Sequence, residues 1–222
     1  MLIKEKSNDL FLKRFYYLLV AIYLLSLVTA YYVNISDGKM AALGMTFVAT
    51  LTPWIVPICF KIFHFKPVYE IYIIALVFTF FASLAGSSFG WYSYFGFDKI
   101  LHFTSGWLFA TVAVILFFYI NKRNDFRDER EFKIFLVFVN AVNIAIAEIW
   151  EFSEYAMLVF FQNDGINHYS QGVHDTITDV MCATVAGLLF TLLIVRYYTK
   201  GKSNFFIHVY EKFFTRNIKH ME

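Results

Sequence analysis

Six apolar runs, each about long enough to cross a lipid bilayer, decide what this chain can become. They occupy residues 15–33, 40–63, 68–87, 99–120, 132–157 and 175–198. A membrane-crossing helix needs about 20 mostly apolar residues. Inside the hydrocarbon no backbone polar group can go unpaired, so only helices or a closed barrel can span it. Barrel strands would be about 10 residues long with alternating polarity. These runs are twice that length and do not alternate. The sequence therefore predicts an all-α fold, a polytopic membrane bundle of six transmembrane helices forming a single integral membrane domain over 1–222. Charged residues make up 16% of the chain, against about 25% in a soluble domain. Three Pro, ten Gly and two Cys exclude collagen-like, disordered and disulfide-scaffold classes.

Basic residues in the short loops set orientation. Of 19 Lys and Arg, 17 fall on the side that holds both termini, and two, Lys39 and Lys99, fall on the other. The expectation is a bacterial plasma-membrane protein with both termini cytoplasmic. Basic Lys4, Lys6, Lys13 and Arg14 precede the first run as they would in a secretory signal. The run is longer than a signal h-region and lacks a small-residue cleavage site, so it reads as an uncleaved first helix. Pro53 and Pro57 predict a kink in the second helix, and Pro67 is placed at the start of the third. Cys59 and Cys182 sit at different depths and read as small buried hydrophobes rather than a disulfide pair. In the tail 203–222, Phe206, Val209, Tyr210 and Phe213 recur at helical spacing, with Lys212, Arg216 and Lys219 available for a polar face. That pattern predicts a C-terminal amphipathic interfacial helix held by membrane lipids.

The polar residues are harder to place in such a chain. Eight acids fall on the outer side or in the outer halves of the helices, against the two bases there, so the acids lack enough cationic side chains to pair with. Asp98 opens the fourth helix and His102 lies four residues further, on the same face and about 6 Å deeper. Asp175 and Asp179 repeat this spacing on the sixth helix. Glu148 and Glu151 lie in the outer third of the fifth. Asn140, Asn143, Glu151 and Glu154 share an arc of about 80°. A stripe of that kind facing lipid is costly, so it faces the protein interior or water.

Carboxylates brought to one level cannot all stay ionised and unpaired. Three resolutions are open: a divalent metal with nitrogen ligands, protons shared for acid–base work or transport, or a cationic substrate. A water-filled vestibule with helix-capping acids is the bland fourth. Capping accounts equally well for Asp98 and Asp175, but not for the deeper His102, Glu148, Glu151 and Asp179. His168 reads as a solvated loop residue, and His174 as a weaker nitrogen candidate beside Asp175.

Three segments carry a resemblance: Phe97-Asp98-Lys99-Ile100-Leu101-His102-Phe103 with Gly106, Glu148-Ile149-Trp150-Glu151, and His174-Asp175-Thr176 with Asp179 and Gly187. Together, over about residues 97–193, they resemble the YjdF-like family of bacterial inner-membrane proteins. More distantly they are similar to VanZ-like proteins, which are associated with glycopeptide resistance. The resemblance implies a multi-pass membrane protein and marks Asp98, His102, Glu148, Glu151, Asp175 and Asp179. It supplies no reaction or cofactor.

The leading functional reading is a metal-assisted hydrolase or transferase acting on a lipid-linked or cell-envelope precursor. A divalent ion (zinc, magnesium or manganese) is expected among Asp98, His102, Glu151, Asp175 and Asp179, with Glu148 as general base. The alternatives are a proton- or cation-coupled transporter and a non-catalytic membrane protein. Nucleic acid is not an expected partner, because the basic residues flank loops rather than line a groove.

Overall fold

The structure is a computed structural model. It describes residues 2–123, 125–165 and 167–219, with side chains from residue 8 onward. Among these residues every regular element is helical, and six helices are long and apolar enough to cross a membrane: Asn8–Ser36, Met40–Ile62, Tyr69–Ser88, Phe97–Asn121, Glu129–Phe161 and Val173–Lys200. The six predicted runs all fall on these helices. Leu25, Val28, Val137 and Leu192 are exposed, as expected of surfaces that meet acyl chains rather than water. Contacts gather into two compact units, residues 1–97 and 98–222, described separately.

In the first unit α1 (Leu2–Ser36) packs with α2 (Met40–Leu51) and α4 (Tyr69–Thr79), and α3 (Ile55–Ile62) packs with α4. Its core is Tyr16, Tyr23, Leu27, Ala30, Ala49, Leu76 and Leu84. The tight 3₁₀ turn Thr52–Trp54 separates α2 from α3, where Pro53 removes a helical donor. Pro67 lies just outside α4, whose N-cap is Val68, because a residue before the helix needs no helical N–H partner. Cys59 is exposed and Cys182 half-buried, and both are free thiols. The burial expected for Cys59 is thus not found, since the apolar exterior of a membrane helix accepts a thiol equally well. Beyond α4 the chain continues as a π-helix over Phe80–Ser88, a rare form that no periodicity in the sequence announced. Its last residue joins a buried node: Asn34 Nδ2 donates to Thr46 Oγ1 at 3.0 Å and to Ser88 Oγ at 3.3 Å, and the two hydroxyls lie 2.6 Å apart.

The second unit holds α5 (Phe97–Asn121), α6 (Glu129–Phe161), the single turn α7 (His168–Gln171), α8 (Val173–Lys200) and α9 (Phe205–Asn217). Asp128 starts α6 as its N-cap, accepting from Glu131 N at 2.7 Å, while Glu131 reaches back to Arg127 N at 2.6 Å, a reciprocal cap. Glu131 also pairs with Arg123, and its charge raises the Arg123 guanidinium above its ordinary pKa. The three long helices meet at Ala183. Its carbonyl accepts from Asn143 Nδ2 at 2.9 Å, and a Cβ on Gly106 would collide with the same backbone. Gly187 lets the Asn143 amide close in, and Asn140 Nδ2 donates to Thr191 Oγ1 at 2.7 Å. The polar stripe of α6 therefore divides: its asparagines lock α6 to α8, and its glutamates are left for the site.

The tail forms the expected C-terminal helix, and its apolar stripe packs on protein: Ile207, Val209, Tyr210, Phe213 and Phe214 are buried. Phe206 stacks on Trp107 and Phe190, with ring centroids 5.4 and 6.1 Å apart. Tyr210 meets Phe118 at 5.2 Å, and Tyr197 donates to Glu211. Residues 201–204 form a connection short enough to fold α9 back on α5 and α8. Their aromatic rings pack on it more densely than acyl chains would. Asn204 caps α9, accepting from Phe206 N and Ile207 N. Residues 220–222 of the predicted tail lie outside the described residues.

Candidate functional site

The site forms where the N-terminal turns of α5 and α8 face the C-terminal third of α6. The i, i+4 spacing on two helices puts Asp98 and His102 on one face of α5, and Asp175 and Asp179 on one face of α8. Glu151 is 3% exposed, Asp175 2% and Asp179 1%.

Lys99 organises the α8 half. Its Nζ donates to Asp175 Oδ1 at 2.6 Å, to both oxygens of Asp179 at 2.8 Å and to Asp98 Oδ2 at 3.3 Å. In the sequence Lys99 reads only as an orientation signal; in the structure its one ammonium serves three carboxylates, so the acids still outnumber the cations beside them. The available signal was Lys99 lying three residues before His102, about 60° from it around α5. Asp175 is further held by Asn167 Nδ2 at 2.7 Å and Gln171 Nε2 at 3.3 Å. It is a receiver of side-chain donors; α8 has no side-chain cap hydrogen bond at its N-terminus.

His102 links the two halves. Its Nε2 lies 3.4 Å from Asp98 Oδ1 and 3.7 Å from Asp179 Oδ1, while Nδ1 lies 3.8 Å from Glu151 Oε1. On the α6 side, neither oxygen of the Glu151 carboxylate makes a well-formed hydrogen bond among the described residues, although the Thr176 hydroxyl of α8 lies near enough to act on it. Glu154, one turn further along α6, accepts from Trp150 Nε1 at 2.8 Å through Oε1. Gly165 lies beside the Glu154 side chain, at a spacing that would leave a Cβ there in ordinary van der Waals contact.

Two trios bring ligand-type atoms within 4.8 Å of one another: Asp98, His102 and Asp179, and His102, Glu151 and Glu154. Five of the six residues marked from sequence, Asp98, His102, Glu151, Asp175 and Asp179, converge here. Glu148 is half-buried and belongs to neither trio. His168 and His174 are exposed and also lie in neither. Glu154 enters beside the residues marked as ligands, although its place on the polar arc of α6 was visible in the sequence.

A family model described as "Predicted membrane protein (DUF2238)" matches residues 15–200, while no curated protein and no solved structure matches the chain. The matched span runs from within the first membrane helix to the last residue of α8 and includes every residue of both trios, so the chain belongs to the DUF2238 family of predicted multi-pass membrane proteins.

Proposed function

We propose that this protein is a plasma-membrane hydrolase or transferase that uses a divalent metal bound in the α5–α6–α8 site to act on a lipid-linked or cell-envelope precursor. The observation that supports this reading is Glu151, a buried carboxylate with no well-formed hydrogen bond to either oxygen among the described residues, beside a histidine and a second glutamate. A buried carboxylate left this way is costly unless a cation or a proton completes it. One imidazole and two carboxylates form a donor set for zinc or manganese, with positions left over for water or substrate. The metal would polarise a substrate oxygen or lower the pKa of bound water. Glu148, three residues before Glu151 and outside the trios, is the proposed general base. The resemblance to YjdF-like and distantly VanZ-like proteins supports a bacterial inner-membrane setting, and the 17 to 2 split of Lys and Arg supports cytoplasmic termini with the site toward the outer face.

A second reading, a proton- or cation-coupled carrier, is favoured by one feature: exchangeable groups of Lys99, Asp179 and His102 lie in succession, 2.8 and 3.7 Å apart. Elemental analysis of protein purified gently without chelator separates the two. The enzyme reading expects stoichiometric divalent metal. Metal-free protein whose stability does not respond to added zinc, manganese or magnesium rejects it, and substrate-dependent proton flux into vesicles would then support the carrier.

A further inference from the structure

Lys99 and the two faces of His102 divide the acid cluster into parts with different tasks. Asp175 and Asp179 already hold a cation, the Lys99 ammonium, at 2.6 and 2.8 Å. Asp98 lies 3.3 Å from the same ammonium and 3.4 Å from His102 Nε2. A divalent ion placed among these groups would sit against a fixed positive charge. No lysine among the described ion pairs reaches Glu151 or Glu154. Metal-binding histidines characteristically donate their second ring N–H to a carboxylate, which fixes the tautomer and raises ligand basicity. His102 has that arrangement, with Nε2 toward Asp98 and Nδ1 toward Glu151. Ligand atoms around a tetrahedral zinc lie roughly 3.4 Å apart, given bonds of about 2.1 Å, and Nδ1 and Glu151 Oε1 are 3.8 Å apart.

We infer that the divalent cation binds His102 Nδ1, Glu151 and Glu154, with Asp98 as the outer partner that orients His102, and that Asp175 and Asp179 are counter-charges for Lys99 rather than metal ligands. This rests on the metal reading above and narrows it. It removes three residues, Asp98, Asp175 and Asp179, from the ligand set marked in the sequence and adds Glu154. Trp150, which donates to Glu154 Oε1, leaves Oε2 for the metal.

The test is zinc binding to chelator-stripped full-length protein in detergent, with wild type, Glu151→Gln, Glu154→Gln and Asp179→Asn compared by elemental analysis and competition with a zinc indicator. The expected result is one zinc in wild type, affinity lowered more than about 100-fold by either Gln substitution, beyond the 10–100-fold that outer partners contribute, and less than tenfold by Asp179→Asn. Glu154→His adds a readout independent of affinity: zinc X-ray absorption should report two imidazoles in place of one. Zinc retained in Glu154→Gln but lost in Asp179→Asn, or a single imidazole in Glu154→His, overturns this assignment and leaves the metal reading standing. A wild type that takes up no zinc overturns both.

Discussion

Replacing Lys99 by Met tests the charge division directly. The substitution keeps the aliphatic stem and deletes one charge that three carboxylates share. At 2.8 Å and an effective dielectric of about 20, a full charge pair is worth about 6 kcal/mol of attraction before desolvation is subtracted, and Asp179 has both oxygens at that distance. After desolvation, deleting one partner of a buried pair costs about 3–5 kcal/mol, because the other charge is stranded. The two α8 acids should not suffer equally. Asp175 keeps the amides of Asn167 and Gln171. Among the described residues Asp179 keeps only His102 Nε2 as an ion-pair partner, at 3.7 Å. The penalty should therefore fall mainly on Asp179, and Lys99→Met should cost much less when Asp179 is already Asn. Equilibrium unfolding of the four proteins of this cycle, in mixed micelles of increasing SDS fraction, gives the coupling energy. We expect Lys99→Met alone to lose about 3–5 kcal/mol and the cycle to show a coupling of about 2 kcal/mol, within the range for residues in one network. A Lys99→Met protein as stable as wild type, or strictly additive substitutions, would refute the argument that Lys99 neutralises Asp179.

Other outcomes follow from the packing. Gly106→Ala should lose about 1–3 kcal/mol, read by the same unfolding assay, because its Cβ would overlap the Ala183 backbone; an unchanged stability would show that α5 and α8 can separate freely. Tyr210→Phe should raise stability by about 1 kcal/mol, since the Tyr210 hydroxyl is buried with no hydrogen-bond partner among the described residues. The same burial pushes its pKa above the ordinary tyrosine range, and a loss of stability on substitution would reveal a partner for the hydroxyl. Phe206→Ala should destabilise by about 3–5 kcal/mol if α9 is part of the folded unit, whereas a helix merely resting on lipid would leave unfolding unchanged. Tags at either terminus should resist protease added to intact cells, and cleavage there would reverse the orientation deduced from the loop charges.

Element existence was legible because the bilayer is a uniform solvent: about 20 apolar residues in a row have one stable solution there, and all six runs became helices. The π-helix at Phe80–Ser88 was not legible, since one extra residue per turn leaves no composition signature. The helix α9 was legible, but the protein surface that covers it was not, for a related reason. An apolar stripe specifies that a face avoids water, but acyl chains and the aromatic rings of Trp107, Phe118 and Phe190 satisfy it equally. For the site, helical periodicity alone placed Asp98 with His102 and Asp175 with Asp179, and set Glu151 and Glu154 on the inward arc of α6. Which charge meets which was decided by the relative rotation and depth of α5, α6 and α8, fixed where Gly106, Asn143 and Gly187 close on Ala183. That tertiary packing carries Lys99 onto the α8 acids and leaves Glu151 facing His102, because Coulomb energies change steeply over a few ångströms while a sequence count of charges has no distances in it.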